Sequence, residues 1–258
     1  MLKYSEFENK IAIVSGAAQG IGQSVADALL HAGAHVVELD IRFPYTGLKF
    51  DNNRKSYQLG LDVTNSEAVT KAIQAIETTI GPIDYLANVA GILRMGALTE
   101  TTDADWSNTF NVNTTGAFNM CRAVAHVMIP RQRGAIVAVS SNSSSVPRMN
   151  MGSYCASKAA TTQLIKCFGL ELAQYNIRCN IVSPGSTDTH MQRQLWEGPC
   201  DAQKVIRGSL DTHRIGIPLQ KIASTESIAH SVMFLLSDDA SHMTMANTIV
   251  DGGATLGC

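Results

Sequence analysis

Short apolar runs rich in β-branched residues alternate along this chain with longer segments of helical spacing. The runs are Ile11–Ser15, His35–Leu39, Ile83–Ala87, Ala135–Ser140 and Ile177–Val182, with weaker ones at Tyr57–Leu61 and Thr248–Val250. The helical segments are Ile21–Ala32, Glu67–Thr79, Asp105–Pro130, Tyr154–Tyr175 and Thr225–Leu236. Because parallel strands need long crossovers and lie buried on both faces, this pattern predicts an α/β fold. We expect one doubly wound (Rossmann) domain, with a parallel sheet of about seven strands and helices on both faces.

The chain has no internal repeat, charge run or proline-rich linker that would divide its 258 residues. We therefore expect a single domain over residues 1–258, large enough to bury a sizeable core. The polar, irregular segment 185–215 contains a few large apolar residues such as Met191, Leu195 and Trp196. Since long irregular excursions in a compact domain are often functional, this segment is predicted to be a substrate-binding lid.

The charge and cysteine content narrow the classes of partner. A net charge of -2 argues against a nucleic-acid partner, which would favour a basic face. The six cysteines, at positions 121, 155, 167, 179, 200 and 258, form no metal-binding spacing, so no metal is predicted. Reduced thiols of this kind fit a cytoplasmic protein. The polar N-terminal decapeptide and the lack of an 18-residue apolar run predict neither a signal peptide nor a membrane span.

A glycine-rich turn joins the first predicted strand to the first predicted helix. The stretch reads Gly16-Ala17-Ala18-Gln19-Gly20-Ile21-Gly22. Glycine lets the backbone turn tightly and approach a pyrophosphate, which then sits at the N-terminus of the helix. A glycine-rich turn alone can be a plain connector, but this position between strand and helix predicts a dinucleotide site.

Polar or small residues follow the next three strands, where open α/β sheets bind ligands. Asp40, beside Ile41, ends the second strand and is predicted to accept the hydroxyls of the adenosine ribose, which favours NAD over NADP. Arg42 could instead neutralise a 2′-phosphate, and Asp40 could simply cap a turn. Two further short segments, Asp62-Val63 and Asn88-Val89-Ala90-Gly91, are expected to surround the adenosine.

Tyr154 and Lys158 are spaced to lie on one face of a helix. A neighbouring ammonium lowers the pKa of a phenol, which is otherwise too high for a base at neutral pH. Ser141, thirteen residues upstream, is placed to hydrogen-bond the same substrate oxygen, and Asn113 to hold a water or backbone group in a proton relay. An ordinary half-exposed Tyr–Lys pair is the alternative, which the dinucleotide motif disfavours.

These motifs, in this order and with Pro184-Gly185, resemble those of the short-chain dehydrogenase/reductase family over nearly the whole chain. Ser15 and Val89 depart from the family pattern, where Thr and a second Asn are usual. The resemblance implies that Tyr154 is the acid/base and that Lys158 holds the nicotinamide ribose. It further implies a substrate-orienting Ser141, an NAD cofactor and a homotetramer built through the helices near 105–130 and 154–175. The residues implied to approach the nicotinamide amide are Pro184, Gly185, Thr187 and Thr189.

Segments 90–97, 131–134, 182–196 and 216–223 resemble one branch of that family. Enzymes of the branch oxidise a cyclohexadiene-diol carboxylate in the biosynthesis of catecholate siderophores, although His190 departs from an acidic residue usual there. An arginine fork suits the ring carboxylate, and Arg148 is preferred to Arg94 and Arg193 because it lies between Ser141 and Tyr154. The residues predicted to line the ring are Leu93, Met95 and Met191.

Three other functions stay open at this point. The general motifs equally permit a reductase of 3-oxoacyl carriers or a sugar dehydrogenase. A protein of another class, which senses NADH without turnover, would also keep the fold. The intact set of Asn113, Ser141, Tyr154 and Lys158 argues against such a sensor.

Overall fold

The central sheet has eight strands, and it contains all seven strands that the sequence predicts. The computed structural model describes residues 5–193 and 201–258. Leu195, Trp196 and Cys200 lie outside the described residues. The strands of the sheet are β1 (Ile11–Ser15), β2 (His35–Asp40), β3 (Lys49–Asp51), β4 (Ser56–Gly60), β5 (Ile83–Asn88), β6 (Gly134–Val139), β7 (Ile177–Pro184) and β10 (Asn247–Val250). A separate hairpin pairs β8 (Gly208–Ser209) with β9 (Arg214–Ile215).

Helices form the crossovers between these strands. They are α1 (Gly20–His31), α2 (Ser66–Thr79), α3 (Asp103–Phe110), α4 (Gly116–Met128), α5 (Gly152–Leu172), α6 (His190–Arg193), α7 (Asp201–Arg207) and α8 (Thr225–Leu236). Among the described residues, none of these helices has the length and apolar character needed to cross a bilayer.

The strand order in the sheet is β10-β7-β6-β5-β1-β2-β4-β3, and only β3 pairs antiparallel with its neighbour. Successive strands move one way from β1 through β2 to β4, and the other way from β5 to β10. The direction in which successive strands are added to the sheet, its winding, therefore reverses between β1 and β5. The loops that follow these two strands diverge from each other. Ligands of open α/β sheets bind in the crevice at such a reversal.

Strand β1 shows why both faces of the sheet must be covered. Ile11 and Ile13 pack into a core beneath α2, α4 and α5, whereas Ala12 and Val14 pack into a second core beneath α1 and α8. Successive strand side chains point to opposite faces, so a strand that is apolar at every position needs helices on both sides.

Three features differ from the sequence-based expectation. The sheet has eight strands because the short edge strand β3, which carries an exposed Phe50, pairs with β4. Residues 105–130 do not form one regular helix, because the π-helical segment Asn111–Thr115 separates α3 from α4. The described part of segment 185–215 includes α6, α7 and the β8–β9 hairpin, so it is less irregular than its polar composition indicates.

Candidate active site

A cavity of about 630 Å³ opens at the carboxyl ends of the strands, where the winding reverses. Most of the predicted site residues line it. They are Gly16, Gln19, Gly20, Ile21, Gly22, Asp40, Ile41, Asp62, Val63, Ala90, Gly91, Leu93, Ser141, Arg148, Tyr154, Lys158, Pro184, Gly185, Thr187, Thr189 and Met191. The cavity therefore brings residues predicted for cofactor binding and residues predicted for catalysis into one space.

Three predicted residues do not line the cavity. Asn88 is buried behind its wall, where its side-chain oxygen accepts the hydroxyl hydrogen of Ser15 over 2.8 Å. Asn113 is also buried, and it contacts the backbone of Ile92. Met95 is 52% exposed outside the cavity, so the structure does not place it against a bound ring.

The glycine-rich turn is shaped by close backbone approaches. Gly16 has φ +69°, and a Cβ there would stand 2.8 Å from the Cα of Ala90. A Cβ on Gly22 would meet the carbonyl oxygen of Gly16 at 2.1 Å. Helix α1 then begins without a side-chain cap at Gln19 and without an acidic residue in its first turn. Its free N–H groups and positive dipole end fit a pyrophosphate.

Ser15 holds this turn against the turn that follows β5. Its hydroxyl donates to Asn88 and accepts hydrogen bonds from the backbone N–H groups of Val89 and Ala90, over 3.0 and 3.2 Å. The serine that departs from the family pattern thus keeps a hydroxyl that makes three hydrogen bonds. Val89 contributes its backbone N–H to this arrangement, so its apolar side chain does not disturb it.

Asp40 performs the turn-capping role and also faces the cavity. Its Oδ2 accepts from the N–H of Ala18 over 3.1 Å, and its Oδ1 accepts from the N–H of Arg42 over 2.9 Å. A carboxylate has about four acceptor positions, so two remain for the hydroxyls of a ribose. The exposed Arg42 guanidinium donates to the side chain of Gln19.

The predicted adenosine side of the cavity is formed by the ends of β2 and β4. Ile41 is 70% exposed and offers an apolar surface to a flat base. Asp62 is exposed, and one of its carboxylate oxygens accepts the N–H of Thr64 over 2.9 Å. Its other oxygen is available for an amino group. These residues, the uncapped end of α1 and the glycine cradle fit a dinucleotide.

Helix α5 begins at Gly152 and therefore places Tyr154 in its first turn, with Lys158 one turn later. Both side chains are buried at the cavity wall, and the Lys158 ammonium lies 5.7 Å from the centroid of the Tyr154 ring. Burial raises the pKa of Tyr154 to about 12, against the lowering effect of a hydrogen bond with Ser141. Burial lowers the pKa of Lys158 to about 8, and its Nζ donates to the carbonyl of Val139 over 2.9 Å.

Ser141 is oriented by Ser143, a residue that the sequence did not single out. The Ser141 hydroxyl oxygen accepts from the backbone N–H of Ser143 over 3.1 Å and from its hydroxyl over 2.9 Å. Because its lone pairs are occupied, Ser141 is left to donate its own hydrogen. In the protein without ligands, Tyr154 is its hydrogen-bond partner.

Asn113 connects the π-helical segment to the catalytic helix. Its Oδ1 accepts the N–H of Ile92 over 2.8 Å, and its Nδ2 donates to the Ile92 carbonyl and to the hydroxyl of Ser157. Ser157 in turn donates to the backbone carbonyl of Tyr154 over 2.8 Å. Asn113 thus holds a backbone group, one of its two predicted roles. π-turns inside helices are frequent at functional sites.

The three candidate arginines have different environments. Arg94 lines the cavity but lies 3.8 Å from the Asp105 carboxylate, with both side chains half exposed. Arg193 forms a two-pronged ion pair with Asp188 and is absent from the cavity lining. Arg148 lines the cavity, and its buried Nη2 has no hydrogen-bond partner within residues 5–193 and 201–258. The geometry favours Arg148 among the three.

Further residues line the cavity that sequence reasoning missed. The most relevant are Ile92, Ser143, Met151, Ser186 and Arg214. Sequence reasoning named none of them individually, because Arg214 comes from β9 and the others from loops and a short 3-10 turn, and their positions depend on the packed fold. Only the Ser-rich tract after β6 contained a signal, since the sequence already placed Ser141 there.

Comparison with known proteins identifies the family to which the chain belongs. A family model described as enoyl-(acyl carrier protein) reductase matches residues 16–255. The solved structure of the aldohexose dehydrogenase of Thermoplasma acidophilum superimposes with a TM-score of 0.87, covering 98% of this chain and 97% of that one at 29% identity. Together with the sequence relatives below, these matches define the class. The chain belongs to the short-chain dehydrogenase/reductase family, and it is an oxidoreductase that uses a nicotinamide cofactor.

Two curated relatives share most of their length with this chain. The 2,3-dihydro-2,3-dihydroxybenzoate dehydrogenase of Bacillus subtilis is 49% identical over 255 residues, which cover 97% of each chain. The vibriobactin-specific 2,3-dihydro-2,3-dihydroxybenzoate dehydrogenase of Vibrio cholerae is 42% identical over 260 residues, which cover 99% of each chain.

Proposed function

We propose that this enzyme oxidises 2,3-dihydro-2,3-dihydroxybenzoate to 2,3-dihydroxybenzoate, with NAD as hydride acceptor, in catecholate siderophore biosynthesis. The observation that carries the proposal is that Ser141, Tyr154, Lys158 and Arg148 line one cavity, with the Nη2 of Arg148 lacking a hydrogen-bond partner among the described residues. The first three residues act on an alcohol, and the fourth suits a carboxylate. The two relatives carry this substrate in their names.

NAD would be held by the glycine-rich turn, Asp40 and Lys158, and when bound it would supply the acceptor for the hydride of the ring carbon. Tyr154, as phenolate, takes the proton of the ring hydroxyl, while Ser141 donates a hydrogen bond to the same oxygen. The Lys158 ammonium favours the phenolate form of Tyr154, which burial alone disfavours. The ketone that forms tautomerises to a phenol, and the gain of aromaticity makes the oxidation effectively irreversible.

The test of this proposal is formation of NADH from NAD with 2,3-dihydro-2,3-dihydroxybenzoate, followed at 340 nm as absorbance. We expect one NADH per molecule of 2,3-dihydroxybenzoate, identified by its catechol absorbance and by chromatography. A 3-oxoacyl thioester, assayed by consumption of NADH, and an aldohexose, assayed by its formation, serve as comparison substrates. The sequence motifs leave both activities open, and the structural neighbour is named for the second. Preference for either one would reject the proposed substrate, and tight NADH binding without turnover of any of them would indicate a sensor.

Preference for NAD over NADP is proposed to depend on the charge of Asp40. Asp40→Asn should narrow the gap in kcat/KM between the two cofactors, because the amide removes repulsion of a 2′-phosphate. Asparagine keeps one acceptor oxygen, so it preserves one of the two hydrogen bonds that Asp40 accepts from the N–H groups of Ala18 and Arg42. Asp40→Ala should narrow the gap similarly, with weaker binding of both cofactors.

Steady-state kinetics with both cofactors measures this gap. Asp62→Asn is the matched control, since Asp62 faces the predicted adenine position and should affect NAD and NADP alike. Wild-type protein that used NADP as well as NAD would show that Arg42 dominates and that Asp40 does not select.

The proposal includes a cytoplasmic homotetramer, as the family resemblance implies. Trp106 on α3 and Leu170 on α5 are 42% and 70% exposed, so apolar surface is present on the helices expected to form the subunit contacts. The five cysteines that are described are unpaired, which fits a reducing compartment.

A further inference from the structure

Arg214 was not among the residues that the sequence indicated, yet it reaches the same part of the cavity as Arg148. It lies in β9, and its side chain crosses to the loop after β7, where Nη2 donates to the hydroxyl of the buried Ser186 over 2.9 Å. Both arginines line the cavity together with Ser141 and Tyr154. The hairpin of β8 and β9 thus delivers a second guanidinium to the reaction site.

The two guanidiniums influence each other. Burial lowers the pKa of Arg214, and the positive charge of Arg148 lowers it further. Burial also lowers the pKa of Arg148. Two like charges in a partly desolvated space cost free energy unless an anion joins them. The arrangement is therefore costly in the protein alone and favourable once an anion is bound.

Neither arginine has an ion-pair partner in the part of the chain that the structure describes. Among the described side chains, no carboxylate lies within 4.0 Å of a nitrogen of either arginine. Asp251 acts on Arg148 electrostatically, but its oxygens accept hydrogen bonds from the side chains of Asn142 and Thr255 and from the N–H of Gly253. The Nη2 of Arg148 is buried and has no hydrogen-bond partner among the described residues.

We infer that Arg148 and Arg214 together form a carboxylate clamp, which recognises the ring carboxylate of the substrate while Ser141 and Tyr154 hold the reacting hydroxyl. This inference rests on the proposed function, since it assigns a position to one group of that substrate. Each guanidinium offers planar donors that suit a carboxylate oxygen. Ser186 fixes the direction of Arg214 and so reduces the entropy lost on binding.

The clamp is tested with Arg148→Met, Arg214→Met and the double variant, each assayed on the carboxylate substrate and on the neutral cyclohexadiene diol without a carboxylate. We expect each single substitution to lower kcat/KM about ten- to a hundredfold on the carboxylate substrate, as for loss of a charged hydrogen bond. The neutral diol should change by less than about threefold. Because both side chains hold one group, the loss in the double variant should be smaller than the product of the single losses.

Arg193→Met is the matched control, since Arg193 is exposed and already paired with Asp188. It should leave both substrates unchanged. Arg214→Lys keeps the charge but loses the planar fork, and it should recover only part of the lost kcat/KM. The melting temperature of Arg214→Met should equal or exceed that of the wild type without ligand, because one of two repelling charges is removed.

A binding measurement separates failure of the clamp from failure of the proposed function. Calorimetric titration of 2,3-dihydroxybenzoate and of catechol into the NADH-loaded protein measures recognition of the carboxylate without turnover. Preferential binding of the acid that is lost in Arg214→Met supports the clamp, even if the proposed substrate were not oxidised. The clamp is overturned if Arg214→Met weakens the acid and catechol equally or leaves both affinities unchanged.

Discussion

Tyr154→Phe should abolish turnover while leaving the binding of NAD nearly unchanged. The substitution removes only the phenolic oxygen, which accepts the substrate proton in the proposed reaction. Loss of a positioned acid/base lowers rates by roughly 10²–10⁴-fold. The ring itself is buried in the first turn of α5 and keeps its packing in the variant. Lys158, which is expected to hold the nicotinamide ribose, is untouched.

The measurement combines kcat with the dissociation constant for NAD from fluorescence or calorimetric titration. Tyr175→Phe, just beyond the end of the same helix, is the matched control for the loss of a phenolic hydroxyl. It should retain full activity. A Tyr154→Phe enzyme that keeps more than about one per cent of kcat would remove Tyr154 from the acid/base role.

The pH dependence of oxidation should follow the ionisation of Tyr154. In the protein without cofactor, burial raises the pKa of the phenol to about 12, so the phenolate is scarce at neutral pH. The positive charges of Lys158 and of oxidised nicotinamide both lower that pKa when they are close. Alcohol oxidation is therefore expected to be fast only when the cofactor is bound beside Lys158, because the phenol then ionises more readily than in the protein alone.

The strand–helix alternation was sufficient to predict the fold, and the glycine-rich turn marked one wall of the cavity. Strands such as β1 are apolar at consecutive positions, a pattern that is typical of parallel strands with helices on both faces of the sheet. The glycine residues of the turn have a physical cause of their own, because a Cβ on Gly16 or Gly22 would collide with backbone atoms. Such local signals survive in a single sequence. The edge strand β3 left no comparable signal, since it is three residues long and partly polar.

The substrate side depends on contacts between distant segments, which a single sequence does not reveal. Arg214 reaches the cavity only because the β8–β9 hairpin lies against the loop containing Ser186. Met95 was expected to line the ring, but the structure places it at an exposed position outside the cavity. Arg148 was predicted because two residues predicted to be catalytic, Ser141 and Tyr154, flank it in the sequence and so restrict its position.

Lys158→Met should combine a large loss of activity with a gain in stability. The ammonium is buried at the cavity wall and makes one hydrogen bond, to the Val139 carbonyl. Without it, the phenolate of Tyr154 loses its nearby positive charge and the nicotinamide ribose loses a donor. We expect kcat/KM to fall on the order of a hundredfold or more. Methionine has a similar length and no branch, so the packing of α5 is conserved.

The gain in stability follows from the direction of the pKa shift. Burial lowers the pKa of Lys158 to about 8 in the folded protein, whereas it is near 10.5 in an unfolded chain. The unfolded state thus binds more protons between these values, and the cost of burying the charge is fully present below pH 8. That cost is on the order of 3 kcal/mol at pH 7. It decreases as the pH rises towards 10.5.

Chemical denaturation without cofactor at pH 7 and at pH 10 measures this effect. At pH 7, Lys158→Met should unfold with a free energy about 2 kcal/mol above that of the wild type, since the lost hydrogen bond to Val139 offsets part of the gain. The difference should be smaller at pH 10. Lys166→Met, two turns further along α5 and partly exposed, is the control and should show no such pH-dependent gain.

Saturating NAD should reduce the difference in free energy of unfolding between the Lys158→Met variant and the wild type, or reverse its sign. A ligand that binds only the folded state adds RT ln(1 + [L]/Kd) to its stability, so the protein with higher affinity gains more. Lys158 would then destabilise the folded protein when the site is empty and stabilise it when the cofactor is bound. A variant that is less stable than the wild type at both pH values would show that the cavity solvates the ammonium well. The lysine would then be retained without the stability cost that its burial implies.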